Sequence, residues 1–157
     1  MKILVLSDTH GDTDAIRLAL AAEAPDLLIH LGDCCGDVTY ALIGEAPVAL
    51  LQVRGNCDYG VQMPAELEPE LGGKRFFLLH GHTRDAKNGD SAMLAAAQVR
   101  GTLPAPSAAL VTKALKCNGK VYACVNIPGT YTFEWGHCLC DYFNLKFFHC
   151  SFLLSFN

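Results

Sequence analysis

The chain has 157 residues, of which 51% are hydrophobic and 18% charged, and its formal net charge is −4. This length and composition predict one globular domain over residues 1–157 and argue against a disordered protein. Because the chain is mildly acidic and contains no basic run, it shows no electrostatic footprint for nucleic acid. A phosphorylated substrate is still compatible with this charge, since bound metal ions can supply local positive charge.

The first part of the chain alternates apolar runs with polar turns. Residues 2–6 predict a buried strand. Asp12 predicts an N-cap for a helix over residues 15–24, which Pro25 ends. A second strand is expected over residues 26–31.

The same alternation continues to Gly101. A short helix is expected over residues 38–43 and a third strand over residues 47–53. Residues 64–73 hold three glutamates and two prolines, which predicts an exposed connection or an edge hairpin. A fourth strand is predicted over residues 74–79, and a helix over residues 91–100 with Gly101 as its C′ residue.

The last third of the chain differs in character. It holds only six of the 28 charged residues, and its end is rich in aromatic residues and cysteine. A strand near residues 120–126 and a turn at Pro128-Gly129 are predicted there. Otherwise no helical or alternating period is sustained, and this part is expected to be divergent, irregular or incomplete.

Strands that alternate with helices predict an α/β fold whose sheet is covered on both faces. In an open α/β sheet, ligands bind at the carboxyl ends of the strands. Each of the four predicted strands is followed by side chains that can bind a cation. These are Asp8 with His10, Asp33, Asn56 and His80.

These residue types suit metal binding in different ways. Residues i and i+2 of an extended chain point to the same side, so Asp8 and His10 can offer a carboxylate and an imidazole to one ion. Asp33 has two oxygens and can bridge two cations, whereas Asn56 can ligate without adding charge. Taken alone, each signal also fits an ordinary turn or, for His80, a core histidine.

The order of the four motifs is more specific than any one of them. Asp-x-His, Gly-Asp, Gly-Asn-x-Asp and His-Gly-His, each after a strand, resemble the calcineurin-like metallophosphoesterase superfamily. Most of that superfamily has histidine in the place of Cys57, and the Gly-Asn-Cys-Asp found here is similar to the small YfcE-type phosphodiesterase branch. The resemblance covers residues 1–101 closely and residues 113–130 more loosely.

The resemblance implies a sandwich of β-sheets flanked by α-helices and a metal-dependent phosphodiesterase. In that family a hydroxide held between two divalent ions attacks the phosphoester. The implied ligands are Asp8 and His10 for the first ion, Asp33 as the bridge, and Asn56 and His80 for the second.

Other groups of the motifs would act beside the ligands. Asn56 and His80 are implied as catalytic residues as well as ligands. His82, Cys57 and Asp58 are expected to contact the substrate or to support the ligands. Cys57 itself is expected to be a packed small residue rather than a nucleophile. The superfamily histidine at its place is taken to assist the leaving group, so that help would have to come from elsewhere.

The ligand types also bear on the metal and the substrate. Imidazole and carboxylate ligands suit divalent transition metals better than calcium or magnesium. Manganese is the expected ion, with nickel, zinc or iron(II) as alternatives. The expected substrate is a small phosphodiester or phosphomonoester. No membrane partner is expected, and an apolar tail could drive homo-oligomerisation.

A fifth superfamily element, Gly-His-x-His, is missing where it would complete both metal sites. Residues 102–112 contain no histidine and no buried-strand pattern, and Pro104 and Pro106 disfavour a central strand. Two explanations stay open: a divergent protein that lacks one ligand at each ion, or a pair of compensating reading-frame errors. Nothing in the spacing of His137 and His149 marks them as substitutes.

Two functions therefore compete. The retained ligand set favours the enzyme. The missing fifth element and the apolar tail favour a catalytically weak or inactive scaffold that binds proteins, as in the retromer subunit of this superfamily.

The remaining signals concern the compartment. The eight cysteines form no CxxC pattern, and the first residues do not resemble a signal peptide, so reduced thiols and a cytoplasmic location are expected. Residues 139–156 are the most apolar stretch. Polar residues such as Asp141 and Lys146 interrupt it, so it is not expected to span a membrane.

Overall fold

The computed structural model describes residues 1–72, 74–85, 91–100, 110–117, 120–126 and 147–154. The strands in these residues are β1 (Lys2–Ser7), β2 (Leu27–His30), β3 (Ala49–Gln52), β4 (Glu66–Leu67), β5 (Glu70–Leu71), β6 (Lys74–Arg75), β7 (Leu78–Leu79), β8 (Leu110–Cys117), β9 (Lys120–Asn126) and β10 (Phe147–Leu154). The helices are α1 (Thr13–Glu23), α2 (Gly36–Ala41), α3 (Ser91–Val99) and a 3-10 helix over His82–Arg84.

A six-stranded sheet in the order β10-β8-β9-β1-β2-β3 forms the centre of the fold. β1, β2 and β3 run parallel, with Leu4 opposite Leu28 and Leu28 opposite Leu50. β9 is antiparallel to β1, and β8 pairs antiparallel with both β9 and β10. The parallel strands end at one edge of the sheet, and the loops that follow them meet there.

Both faces of β1 and β2 are covered, as the apolar strands predict. Leu4 and Leu6 of β1 pack in one cluster with Ile16 of α1 and Val38 of α2. The opposite face of β1 packs against the segment around Phe76, which is itself fully buried. Complete burial of one such large apolar side chain contributes about 1.5–3 kcal/mol, so the strands are fixed firmly beneath the loops.

The first helices form close to the predicted positions. Asp12 caps α1, because its Oδ1 accepts a hydrogen bond from the backbone N–H of Ala15 at 2.9 Å. α1 ends before Ala24, which adopts a left-handed conformation, and Pro25 follows. α2 begins two residues earlier than expected.

The fourth predicted strand is divided, and it does not join the central sheet. β6 pairs with β5, while β7 pairs with β4 in a separate two-stranded sheet. The expectation that four strand ends lie along one sheet is therefore wrong for the fourth. Pairing with residues 66–71 satisfies the backbone of this run locally, and an apolar pattern cannot distinguish that outcome from a place beside β3.

The C-terminal strands also differ from expectation. β9 has the predicted bounds. No strand was predicted over residues 102–112, but β8 begins at Leu110, so this prediction is wrong for residues 110–112. β10 shows that residues 147–154 are not irregular. Pairing with distant strands overrides the weak local pattern in both. Gly101, the two prolines of residues 102–109 and the Pro128-Gly129 turn lie outside the described residues.

α3 covers residues 91–99 of the predicted helix. None of the helices in the part of the chain that the structure describes is long and apolar enough to cross a membrane.

Candidate metal centre

The loop after β1 has an unusual backbone. Asp8, His10 and Gly11 all have positive φ, at 57°, 46° and 88°. Asp8 is buried, and its backbone N–H donates to the carbonyl oxygen of Gly32 at 2.9 Å. Positive φ costs about 1–3 kcal/mol for a residue other than glycine and persists where the surroundings enforce it. The loop that carries Asp8 and His10 is thus held by the neighbouring loop.

Two glycines allow the loops after β2 and β3 to touch. Gly32 has a φ of 104° and is followed by Asp33, whose φ is 63°. A Cβ added at Gly32 would overlap the backbone of Gly55, and one added at Gly55 would overlap the carboxylate of Asp33. Only glycine at both positions permits this approach.

Asp58 joins the same two loops. Its Oδ2 accepts hydrogen bonds from the backbone N–H groups of Asp33 at 2.8 Å and Gly55 at 2.7 Å, and its Oδ1 accepts from that of Cys35 at 2.9 Å. Burial alone would raise the pKa of Asp58, but these N–H groups outweigh it and lower the pKa below its usual value. Asp58 therefore stays ionised and fixes Asp33 relative to Gly55.

Three predicted side chains converge above these loops. One ligand atom from each of Asp8, Asp33 and His80 lies within 4.8 Å of the others. Both carboxylates are buried. At this spacing and an effective dielectric constant of about 20, two negative charges repel each other by about 3 kcal/mol. A divalent cation between them would offset that repulsion, so the donor set fits a metal ion.

His80 presents one nitrogen to this centre. Its Nδ1 donates to the carbonyl oxygen of Leu31 at 2.9 Å, so Nε2 is the acceptor of the neutral ring. Nε2 lies 3.1 Å from Oδ1 of Asn56 and 3.7 Å from Oδ1 of Asp33. The Asn56 amide donates to Sγ of Cys57 at 3.2 Å, which turns its oxygen toward His80. Electron-pair donors that face one another in this way are typical of cation ligands.

His10 lies on the other side of Asp33. Its Nε2 is 4.0 Å from Oδ2 of Asp33, and its Nδ1 is 3.5 Å from Sγ of Cys34. The two oxygens of Asp33 therefore face different histidines, Oδ1 toward His80 and Oδ2 toward His10. The structure thus brings together the five side chains that the sequence predicted as ligands: Asp8, His10, Asp33, Asn56 and His80.

Two further candidates lie at the rim. The rings of His82 and His80 have their centroids 5.4 Å apart, and partial desolvation together with His80 lowers the pKa of His82. Cys57 is exposed, so the expectation that it is packed is wrong, because its loop runs over the surface. Its backbone N–H donates to Oδ1 of Asp33 at 2.8 Å, and hydrogen bonding with Asp33 raises the pKa of its thiol.

An ion-pair cluster fixes the segment that follows His80. Arg84 donates to both carboxylate oxygens of Glu66, at 2.7 and 3.0 Å, and Arg100 adds a contact of 2.9 Å. Arg84 holds the pKa of Glu66 below its usual range. Since Glu66 belongs to β4 and Arg100 follows α3, the cluster connects three segments beside the site.

Three polar residues under the site were missed from the sequence: Thr9, His30 and Asp37. His30 could have been identified because it is a histidine at the end of an otherwise apolar strand. Thr9 could have been identified because it lies between the two candidate ligands Asp8 and His10. Nothing in the sequence marks Asp37.

Comparison with known proteins agrees with the motif pattern. The model of the family described as the calcineurin-like phosphoesterase superfamily domain matches residues 1–107. The probable metallophosphoesterase YsnB of Bacillus subtilis is 33% identical over 89 residues, which are 55% of this chain and 50% of that protein. A probable metallophosphoesterase of Mycoplasma pneumoniae is 38% identical over 82 residues, 52% of this chain and 47% of its own length. The chain thus matches about half the length of these curated relatives.

Two solved structures share the fold. A conserved uncharacterized protein of Streptococcus pneumoniae, described as a predicted phosphoesterase, superposes with a TM-score of 0.59 at 19% identity, and the match covers 97% of both chains. A single mutant of Vps29 from Entamoeba histolytica gives a TM-score of 0.63 at 15% identity, covering 97% of this chain and 99% of that one. At these identities the likeness concerns the fold alone.

Proposed function

This chain belongs to the calcineurin-like phosphoesterase superfamily, and on that premise we propose that it hydrolyses small phosphodiesters with the help of two divalent metal ions. The observation that carries the proposal is the convergence of Asp8, Asp33 and His80 within 4.8 Å. Membership alone indicates metal-dependent hydrolysis of phosphoesters. The preference for diesters over phosphomonoesters and the number of ions are the further steps proposed here.

The two sides of Asp33 suggest how the ligands divide. Asp8 and His10 would hold one ion, and Asn56 and His80 the other. Asp33 would bridge them, because its oxygens face the two histidines on opposite sides. Manganese suits this mixture of imidazole and oxygen ligands, and nickel, zinc or iron(II) are chemically close.

When bound, such a pair of cations supplies an activated water nucleophile and positive charge for a phosphoryl oxygen. The residues of the chain itself have separate tasks. The Leu31 carbonyl holds His80 with Nε2 toward the centre, and Asp58 keeps the Asp33 loop against the Asn56 loop. Asn56 and His80 are the catalytic residues proposed to touch the substrate, and His82 lies at the rim where a substrate group would pass.

Cys57 weakens one step of the reaction. Its raised pKa keeps the thiol neutral near neutral pH, so it retains its proton but releases it poorly. A substrate whose leaving group needs protonation should therefore react slowly. We expect the best substrates to have leaving groups that are stable as anions.

A scaffold that binds proteins is the second candidate. The observation in its favour is that residues 102–112 lack the Gly-His-x-His element of the superfamily. A scaffold has no need of a convergent ligand set, which is why the enzyme is the preferred proposal.

The test is hydrolysis of bis(p-nitrophenyl) phosphate with added Mn²⁺ by the full chain and by Asp33→Ala. The proposal predicts metal-dependent turnover that the substitution abolishes. Turnover at the same rate in both proteins would point to a contaminant and refute it. Folded protein without turnover would favour the scaffold.

A further inference from the structure

A chain of hydrogen bonds runs beneath the loop that carries Asp8 and His10. It starts at His30, the last residue of β2, whose side chain is completely buried. The backbone N–H of Gly32 donates to Nδ1 of His30 at 3.3 Å, which places the ring proton on Nε2. Burial lowers the pKa of His30 to about 4, so the ring is neutral at neutral pH.

Thr9 continues the chain toward α2. Nε2–H of His30 donates to Oγ1 of Thr9 at 3.3 Å, and the Thr9 hydroxyl donates to Oδ2 of Asp37 at 2.7 Å. The same Asp37 oxygen accepts the backbone N–H of Gly11 at 2.7 Å. Every donor in this series points the same way, from the Gly32 loop to the carboxylate, so the groups satisfy one another.

The ends of this series are the neighbours of proposed metal ligands. Gly32 precedes Asp33, Thr9 lies between Asp8 and His10, and Gly11 follows His10. The backbone of this loop is strained, with positive φ at residues 8, 10 and 11. A strained loop keeps its conformation only when contacts outside it fix it, and Asp37 fixes it at two points.

We propose that the series His30–Thr9–Asp37 is a positioning device that sets Asp8 and His10 relative to Asp33. The inference rests on the proposed function, because it concerns how the chain holds a cation. Thr9, His30 and Asp37 contact neither metal nor substrate; they act through the loop. If one of these hydrogen bonds is removed, the loop that carries Asp8 and His10 should change conformation, and the two side chains should no longer be placed to bind the ion.

Thr9→Val and Thr9→Ser form a matched pair for the test. Valine has the shape of threonine but leaves Nε2–H of His30 and Asp37 without the bridging hydroxyl, whereas serine keeps that hydroxyl. Binding of Mn²⁺ is measured by calorimetry, and thermal unfolding is measured separately in EDTA. Loss of a group that orients a ligand typically weakens metal affinity about 10–100-fold, and this loss is expected for Thr9→Val and not for Thr9→Ser.

Asp37→Asn provides a second route from the partly exposed end of the series. Asp14→Asn is its control, since it removes the same charge from an exposed position of α1. Asp37→Asn should weaken Mn²⁺ binding, and Asp14→Asn should not. If Thr9→Val does not fold, this second pair decides.

The outcomes are separable. Variants that bind Mn²⁺ like the wild type, and lose only thermal stability in EDTA, overturn the inference and leave a structural role. A folded wild-type chain that binds no Mn²⁺ overturns the proposed function itself. Weak binding by Thr9→Val or Asp37→Asn, with normal binding by its control, supports the positioning role.

Discussion

Nδ1 of His80 donates a hydrogen bond to the backbone carbonyl oxygen of Leu31 at 2.9 Å. A carbonyl can only accept, so Nδ1 carries a proton, and in the neutral ring Nε2 carries none. Nε2 is left with its lone pair directed at Asp33 and Asn56. Histidines that bind metals usually donate their second nitrogen to such a carbonyl or to a carboxylate. The chain thus prepares His80 as a ligand although it arrives from a separate sheet.

Substitution of His80 and of His82, which flank Gly81, should affect Mn²⁺ affinity differently. His80→Ala removes a proposed ligand, so Mn²⁺ affinity measured by calorimetry should fall by at least about 10–100-fold. His82→Ala removes a ring whose centroid lies 5.4 Å from that of His80, and it should leave the affinity close to that of the wild type. Equal losses for both variants would contradict the assignment.

Substitution of Gly55 should disturb Asp33 directly. The added Cβ of Gly55→Ala would overlap the Asp33 carboxylate. We expect a loss of Mn²⁺ binding and destabilisation by about 1–3 kcal/mol, as for other overpacked sites. Gly36→Ala is the control, because its Cβ would meet Tyr40 only at 4.0 Å. Urea unfolding in EDTA gives the stabilities. Wild-type stability and Mn²⁺ binding in Gly55→Ala would disprove the close contact between Gly55 and Asp33.

Acid should destabilise the fold partly through His30. The pKa of this residue is lowered by burial to about 4 in the folded chain, against 6.5 when unfolded. Between these values the unfolded chain binds the proton more readily, so stability is lost as the pH falls from about 6.5 toward 4, by up to about 3 kcal/mol. NMR of the His30 ring checks this. Resonances that stay constant from about pH 8 to about pH 5 are predicted, and titration near its usual pKa would contradict the burial argument.

Cys57→His tests the leaving-group step. An exposed imidazole can donate a proton near neutral pH, which the Cys57 thiol, with its raised pKa, does poorly. We expect kcat to rise about tenfold or more for a diester with an alkyl leaving group, a modest part of what general acid catalysis can supply. Cys57→Ser is the comparison. If Cys57→His is no faster than Cys57→Ser on that substrate, the step does not depend on this position.

The strands and motifs near the N-terminus could be predicted because their signals are local. The run from Ile3 to Leu6 is apolar at every position, as a strand buried on both faces must be, and Asp12 is an ordinary cap. Asp8, His10, Asp33 and Asn56 could be named as candidates from their residue types at the ends of neighbouring parallel strands, which meet at one edge. The full ligand set, with His80, was implied by the resemblance to the superfamily.

The rest depended on contacts that a local sequence pattern does not specify. Leu78 and Leu79 pair with β4, and their apolar pattern does not distinguish this partner from β3. The same holds for β8 and β10, whose partners a local pattern cannot supply. The role of Asp37 could not be predicted from the sequence, because it arises from a hydrogen bond with Thr9, which lies 28 residues away.

The proposed function requires a cation on each side of Asp33, close to where Asp8, Asp33 and His80 converge. Crystals of the full chain grown with Mn²⁺, measured near the manganese absorption edge, test it most directly. We expect two anomalous peaks, one on each side of Asp33: one in contact with Asp8 and His10, and the other in contact with Asn56 and His80. A well-ordered site with no anomalous peak among these residues would contradict it.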